Sequence, residues 1–553
     1  MRSISTSLTA VILTTLLAAA CDRFTETSPP AATTVMSTAT SAPVETVIPT
    51  DTPPPSMPKE LTICQAEEPN TLFLYGEPSR AARNVLEAIY DGPIDVNEYQ
   101  FKPVILEKLP SLTDGDAAVR QVPVTSGVKV ANAEGALVDL APGITVVDAA
   151  GQTVIFEGGE ISMAQIVVTF TLRSDVRWAD GTPVTADDSR YSFELAGQLD
   201  SPVRQWTLDR SLSYEVIDAR TVVWTGVPGH QDTFYFLNFW TPLPRHIWGA
   251  TSIEQLSSTE VAHKRPLGWG PFAVDEWVDG EYVSLVRNPY YFRASEGLPY
   301  LDRITFRFVA DFQQALDDLL SGECDVVGRD LIERRVFENG DLAPLLEAAD
   351  TGRINLVQSS SSEWEHLDFG ITPADSVHRP DFFGDVRVRR AIAMCIHRER
   401  IAGEAFPYGA AELATSYVAA DHPLYARDHL HYWDYNPSEA LNTLDQVGWR
   451  DQNGDGIREA YGVPGIADGT PFTVTLLTTA NSLAHERTAR ILAENLASCG
   501  IGLSVQYMSD DEFFADGPIG PIFGRQFDLA LFSWMNDFDA HCGLYLSSQI
   551  PDT

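Results

Sequence analysis

Residues 527–539, FDLALFSWMNDFD, place four side chains suited to recognition directly after an apolar run: Trp534, Met535, Asn536 and Asp537. The run to Phe532 reads as a buried strand, and groups delivered at the carboxyl edge of such a strand sit where open α/β sheets bind ligands. In a cleft that excludes water, the Asp537 carboxylate would anchor a cationic group by a charge-assisted hydrogen bond. In the open, the same side chain is an ordinary solvated loop aspartate. The stretch SSSEWEHLDFG adds Glu363, Trp364 and His366, and a glycine loop adds Trp269. Each aromatic serves equally as a surface on which ligand groups stack or as core packing.

Other chemistries find little support. The sequence has no G-x-S-x-G, no H-E-x-x-H and no P-loop, and the His485-Glu486 pair lacks a second histidine at the required spacing. An enzyme is not expected, and neither is a cofactor. No repeats mark a structural or adhesive protein. Asp451, Asn453 and Asp455, followed by Gly456, begin like a calcium loop, but Gly462 occupies the twelfth position where a bidentate carboxylate belongs. Besides Cys21 there are Cys64, Cys324, Cys395, Cys499 and Cys542, with no zinc spacing among them. One or two disulfides are expected outside the cytoplasm, with at least one thiol left over and a pairing that spacing cannot reveal.

The elements that must position these groups follow from local pattern. Residues 304–309 alternate as a strand, 311–321 set Phe312, Ala315, Leu316, Leu319 and Leu320 on one helical face before Gly322, and 325–327 open another strand. The same β-α-β order recurs at 473–477, 484–499 and 501–507. Two such units predict two α/β lobes. In FTLRSDVRWADGTPVTADDSRYSFELA, residues 170–196, Asp180-Gly181 reads as a turn, Pro183 as an extended entry and Thr185 as a helix cap ahead of Asp187 and Asp188. That segment is scaffold.

Arg2, the apolar run 8–20 and the small residues before Cys21 read as an export leader, too short to span a bilayer. Residues 22–57, rich in Thr, Pro, Ser and Ala, cannot bury enough apolar surface to fold and form an extended tether. The remainder of the 553-residue chain, 44% hydrophobic overall, holds enough apolar residues for more than one core. A net charge of −39 argues against nucleic acid and anionic lipid surfaces as partners, although acidity is also a common solubility device.

Together these motifs resemble the peptide/nickel class, family 5, of the extracytoplasmic solute-binding proteins of ABC importers. The match rests on Phe170, Leu172, Arg173, Trp178, Asp180, Gly181, Thr182, Pro183, Ala186, Asp187 and Asp188. In family order come Tyr90-Asp91-Gly92, Lys102-Pro103, Pro242-Leu243-Pro244-Arg245-His246, Gly268-Trp269-Gly270-Pro271-Phe272, Asn288-Pro289-Tyr290-Tyr291, Gly322-Glu323-Cys324-Asp325-Val326 and Val386-Arg387-Val388-Arg389-Arg390-Ala391. The resemblance implies a class II periplasmic-binding-protein fold of two α/β lobes around a cleft, with an extra inserted domain. Lobe one is expected at 58–84 and 211–357, the inserted domain at 85–210, lobe two at 358–537, and the start of a return to lobe one at 538–553, which stops short of the family's usual length. Leu17-Ala18-Ala19-Ala20-Cys21 resembles a lipoprotein processing site, with Cys21 the lipidated residue. Trp534 and Asp537 fit the W-x-x-D whose carboxylate pairs with a peptide's α-amine in peptide-binding members. The implied function is peptide capture by cleft closure, as a monomer delivering to permease and ATPase subunits; nickel chelates, sugars and opines are carried on the same fold, and a secreted hydrolase is the reading from a different class. Gly370 stands where many members have Asn after the phenylalanine of this motif, a departure that bears on the ligand.

Overall fold

The computed structural model describes residues 58–199, 202–256, 259–337, 342–359, 361–373, 379–406, 411–480, 482–536, 545 and 550. The chain divides into Met1–Met57 and a folded body, Pro58–Thr553. The expected leader, Cys21 and the tether at 22–57 lie outside the described residues. Among the described residues no helix is long and apolar enough to cross a membrane.

Lobe one is built on a five-stranded sheet in the order Phe272–Val278, Tyr282–Arg287, Arg303–Phe308, Glu60–Gln65, Val326–Val327. Arg303–Phe308 and Val326–Val327 flank Glu60–Gln65, both parallel to it, and Phe312–Ser321 makes the crossover between them. Asp311 caps that helix by accepting from the Gln314 N–H at 2.8 Å, and Gly322, at φ 84°, ends it, as the sequence predicts. A disulfide joins Cys64 to Cys324 at the edge of this sheet.

A four-stranded antiparallel sheet follows the order Ser211–Val216, Thr221–Gly226, Glu160–Thr171, Ala117–Thr125. The boundary expected at 210/211 therefore cuts through one sheet, because Thr221–Gly226 hydrogen-bonds back onto Glu160–Thr171 and carries Ser211–Val216 on its other edge. The boundary at 84/85 likewise falls inside the helix Arg80–Ile89. Long-range pairing decides such borders, and local pattern does not carry it. The two sheets share one core, in which Val168, Phe170 and Trp224 join Leu285, Ile304 and Phe306. The signature segment is scaffold here. Asp188, buried at the start of the helix Ala186–Ala196, accepts from the Thr185 N–H at 2.8 Å, the Thr185 hydroxyl at 2.9 Å and the Arg245 N–H at 3.1 Å.

Lobe two carries a mixed sheet in the order Glu363–Phe369, Leu529–Met535, Thr473–Thr479, Gly502–Met508. The last three run parallel to one another, and Glu363–Phe369 is antiparallel to its neighbour. The helices Val386–Cys395, Pro437–Val447 and Leu483–Ser498 bury Ile392, Leu444 and Leu492 with sheet residues Leu476 and Leu531. A second disulfide, Cys395–Cys499, joins two helix ends there. Cys542, the fifth of these cysteines, lies outside the described residues. The hairpin Ile94–Asn97 and Gln100–Pro103 reaches this lobe. Its turn residues Glu98 and Tyr99 both take positive φ, and Tyr99 meets Asp421 at 3.2 Å and the His422 ring at 4.5 Å.

Candidate functional site at the carboxyl edge of the lobe-two sheet

Because Thr473–Thr479, Gly502–Met508 and Leu529–Met535 are parallel, they end along one edge, the position at which α/β sheets present ligand groups. The antiparallel partner begins at that edge, and its register sets Glu363 opposite Met535, Trp364 opposite Trp534, and His366 opposite Phe532. Two segments more than 160 residues apart in sequence thus contribute to one rim. The Asn536 N–H donates to the Ser362 carbonyl at 3.0 Å, and its side-chain amide donates to the Tyr417 carbonyl. Met535 and Glu363 are exposed at the rim. Asp537, the expected amine anchor, lies outside the described residues.

Strand alternation sorts the remaining groups onto two faces. On one, the Trp364 ring lies 4.3 Å from His366 and 5.9 Å from Tyr417, and His366 meets Phe532 edge-on at 4.3 Å. Trp534 continues the aromatic surface against Phe532 and Phe514. His366 Nδ1 lies 2.9 Å from a carboxylate oxygen of Asp368. Neither Trp364 Nε1 nor His366 Nε2 has a hydrogen-bond partner, and both are shielded from solvent. Tyr417, Phe514 and Asp368 escaped the sequence reading, since nothing near Tyr417 or Phe514 in sequence marks them as neighbours of this strand end.

On the opposite face Glu365 points toward the start of Leu483–Ser498, with Oε2 3.8 Å from His485 Nε2. Burial, reinforced by the charge of Glu363 and opposed by the Thr488 hydroxyl, pushes the Glu365 carboxyl up to about 7. Burial also pushes His485 down, against the pull of Asp510, so this histidine is a neutral neighbour rather than a counter-ion near pH 7. A carboxyl whose folded pKa exceeds its ordinary 4.5 holds its proton longer in the native state. Its contribution is therefore fully present below about 4.5 and declines as pH rises to about 7. Glu365→Gln is expected to raise stability at pH 8 by roughly 2–3 kcal/mol and to change it little at pH 4.5. Urea denaturation at the two pH values checks this, and an equal change at both would contradict it.

Trp269 does not join the rim, a correction to the expectation. Its side chain is fully buried in lobe one between Tyr90, 4.9 Å away, and Trp178, 5.3 Å away, and its indole N–H donates to the Asp91 carbonyl at 2.9 Å. The flanking Gly268 and Gly270 are required because a Cβ there would meet the Ile89 carbonyl oxygen at 2.2 and 2.5 Å. Trp269→Phe is expected to cost about 1–2 kcal/mol of stability, through the orphaned carbonyl, while leaving ligand affinity within twofold. Parallel denaturation and binding titrations test both halves.

The acidic turn is also explained without an ion. Asp451 accepts from the backbone N–H groups of Gly454 and Gly456, and Asn453 donates its amide to Asp455 at 3.0 Å and to the buried Glu459 at 2.7 Å. Asp451, Asp455 and Glu459 do converge, but the Asn453 amide already supplies the positive end of a dipole between Asp455 and Glu459.

Gly370 lies at the far end of Glu363–Phe369 from the rim. A Cβ there would meet the Phe527 carbonyl oxygen at 2.0 Å and Arg379 Nη2 at 2.5 Å, so its lack of a side chain serves packing. A cavity of about 280 Å³ opens at the same end, lined by Arg379, Thr475, Gln506, Gln526 and Asp528 among others. The lining Arg379 and Asp528 already answer each other in an ion pair.

Two α/β lobes with a rim of acid, amide and aromatic groups at one sheet edge describe a binding protein of the two-lobe class. A model of the bacterial extracellular solute-binding proteins, family 5, matches residues 152–549, and the chain belongs to that family. Its family and neighbours are binding proteins rather than enzymes. The chain is 26% identical over 351 residues to the oligopeptide-binding protein AppA of Bacillus subtilis, covering 61% of this chain and 57% of AppA. It thus spans a little over half the length of that relative. Among solved structures it shares its fold with CtaP of Listeria monocytogenes, at a TM-score of 0.58 and 20% identity over 88% of this chain and 81% of that one. It likewise resembles a periplasmic oligopeptide-binding protein of Thermotoga maritima, at a TM-score of 0.56 and 19% identity over 87% and 78%.

Proposed function

We propose that this chain is the solute-binding component of an ABC importer, that it captures di- and oligopeptides outside the cytoplasmic membrane by closure of the cleft between its lobes, and that it passes them to permease and ATPase subunits. The observation that carries the reading is the register that sets Glu363, Trp364 and His366 opposite Met535, Trp534 and Phe532 at the carboxyl edge of the lobe-two sheet, with Asn536 bonded to Ser362 just beyond. Carboxylates suit a peptide's amine, aromatics suit its side chains, and polar groups suit its amides. The oligopeptide binding for which AppA is named agrees in kind. In this reading Asp537 pairs with the α-amine, Cys21 carries the lipid that holds the protein at the membrane surface, and residues 22–57 are the tether. A ligand that contacts both lobes stabilises the closed arrangement by the difference in its affinity for the two states.

Native mass spectrometry of the gently purified full chain tests this. A heterogeneous set of small adducts that sequence as peptides, and that is lost in Asp537→Ala, is the expected result. One discrete non-peptide adduct, or a folded protein that stays free of adducts when peptides are supplied, overturns it.

A further inference from the structure

We infer that Trp364 and His366 read the backbone of one residue of the bound ligand, His366 accepting that residue's N–H at Nε2 and Trp364 donating its indole N–H to that residue's carbonyl. Asp368 acts as the positioning residue that fixes the histidine tautomer. This assignment rests on the peptide reading and goes further, naming the polar atoms that do the recognition.

The argument begins with the two polar atoms at the rim that have no partner. Trp364 Nε1 and His366 Nε2 belong to rings 4.3 Å apart on one face of one strand, and both atoms are shielded from water. A shielded donor or acceptor without a partner is costly, so unpaired polar atoms in adjacent rings at a candidate site call for an occupant that satisfies both. Their chemistry is fixed by the neighbour. A carboxylate only accepts, so across the 2.9 Å contact with Asp368 it is His366 Nδ1–H that donates. An imidazole whose proton sits on Nδ1 carries its lone pair at Nε2. Indole Nε1–H is a donor only. One acceptor beside one donor is the complement of one residue of an extended peptide, whose N–H and C=O point to the same side, whereas the two groups of a single trans amide point oppositely. The pair does not match a carboxylate, which offers acceptors alone, or an ammonium, which offers donors alone. The other unpaired indole nitrogens among the described residues, those of Trp240, Trp248 and Trp449, are not in a ring packed against a histidine with a partnerless nitrogen at this edge.

The test uses the full chain with tetra-alanine and analogues in which each amide in turn is replaced by an ester, which removes the N–H and weakens the carbonyl. Isothermal titration of the unmodified protein is expected to show one ester position that binds roughly tenfold more weakly, the loss of one hydrogen bond. In His366→Phe the penalty at that position disappears while the others stay. In Asp368→Asn the asparagine amide donates to Nδ1, driving the ring proton to Nε2, and the same penalty disappears although both rings remain in place. Asp368 is about half exposed, so this variant remains informative even where His366→Phe fails to fold. An ester penalty that is the same in all three proteins overturns the assignment and leaves the peptide reading intact. Failure of the unmodified protein to bind any of these peptides or the adducts of the native spectrum overturns both.

Discussion

Replacing Cys64 and Cys324 together by alanine is expected to lower the free energy of unfolding by about 5 kcal/mol. The bond closes a loop of 260 residues, and the entropy withheld from the unfolded chain grows with the logarithm of loop length. Both sulfurs are buried, and they tie Glu60–Gln65 to the turn entering Val326–Val327, where only two residue pairs register the strands. Few ladder hydrogen bonds are available to replace the link. Guanidinium denaturation of the variant, beside the unmodified protein treated with dithiothreitol, is the measurement. The reduced protein, with both disulfides open, should fall by roughly twice as much as the variant, and a loss under 1 kcal/mol in the variant would mean that the unfolded chain is compact enough to make the constraint redundant. The Cys395–Cys499 bond closes a shorter loop, of 104 residues, and its removal is expected to cost about 4–5 kcal/mol.

The second large effect centres on Arg379. Its guanidinium lies 3.0 Å from Asp528 as an ion pair without hydrogen-bond alignment, and it donates to the carbonyl oxygens of Gly370 at 3.0 Å and Phe527 at 2.5 Å. Each side chain of the pair keeps only 13% of its surface in solvent. Burial lowers the arginine's pKa, with Asp528 and Asp381 resisting, but a guanidinium stays charged throughout the working range. Arg379→Met is expected to cost about 3–5 kcal/mol, because it strands the Asp528 carboxylate in a site where water cannot replace the lost cation. Gly370→Asn should be at least as damaging. Its Cβ would occupy the space of the Phe527 carbonyl and break the Gly370 N–H to Asp528 carbonyl bond of 2.8 Å. Chemical denaturation reads both variants. Peptide affinity of the folded fraction should be unchanged, since the strand carries Gly370 roughly 20 Å from the rim; a coupled loss of affinity would place the far end of the sheet in the site.

The local elements were legible from residues alone. The predicted units at 304–327 and 473–507 match Arg303–Phe308, Phe312–Ser321 and Val326–Val327, then Thr473–Thr479, Leu483–Ser498 and Gly502–Met508. Such elements are set by side-chain period and by caps that act within four residues. The capped start of Ala186–Ala196 was readable for the same reason. The apolar run ending at Phe532 appears as the strand Leu529–Met535, with Trp534 and Met535 at its end.

What depended on distant partners was not legible. Trp269 offers the same indole in a core as in a cleft, and only the approach of Tyr90, Trp178 and the Asp91 carbonyl encloses it. Glu365 sits between two candidate rim residues, yet alternation turns it toward the start of a helix more than a hundred residues away, where it meets His485. Its raised pKa follows from that burial and from no feature of SSSEWEHLDFG. Cysteine pairing, the strands that return from 211–226 to Glu160–Thr171, and the collision that keeps position 370 a glycine are likewise products of chain closure. The sequence by itself determined the elements, the family and the run of residues that ends at the sheet edge, because those rest on short-range stereochemistry. The tertiary structure alone decided which side chains stand together at that edge, because strand register sums hydrogen bonds and burial over residues that only folding makes neighbours.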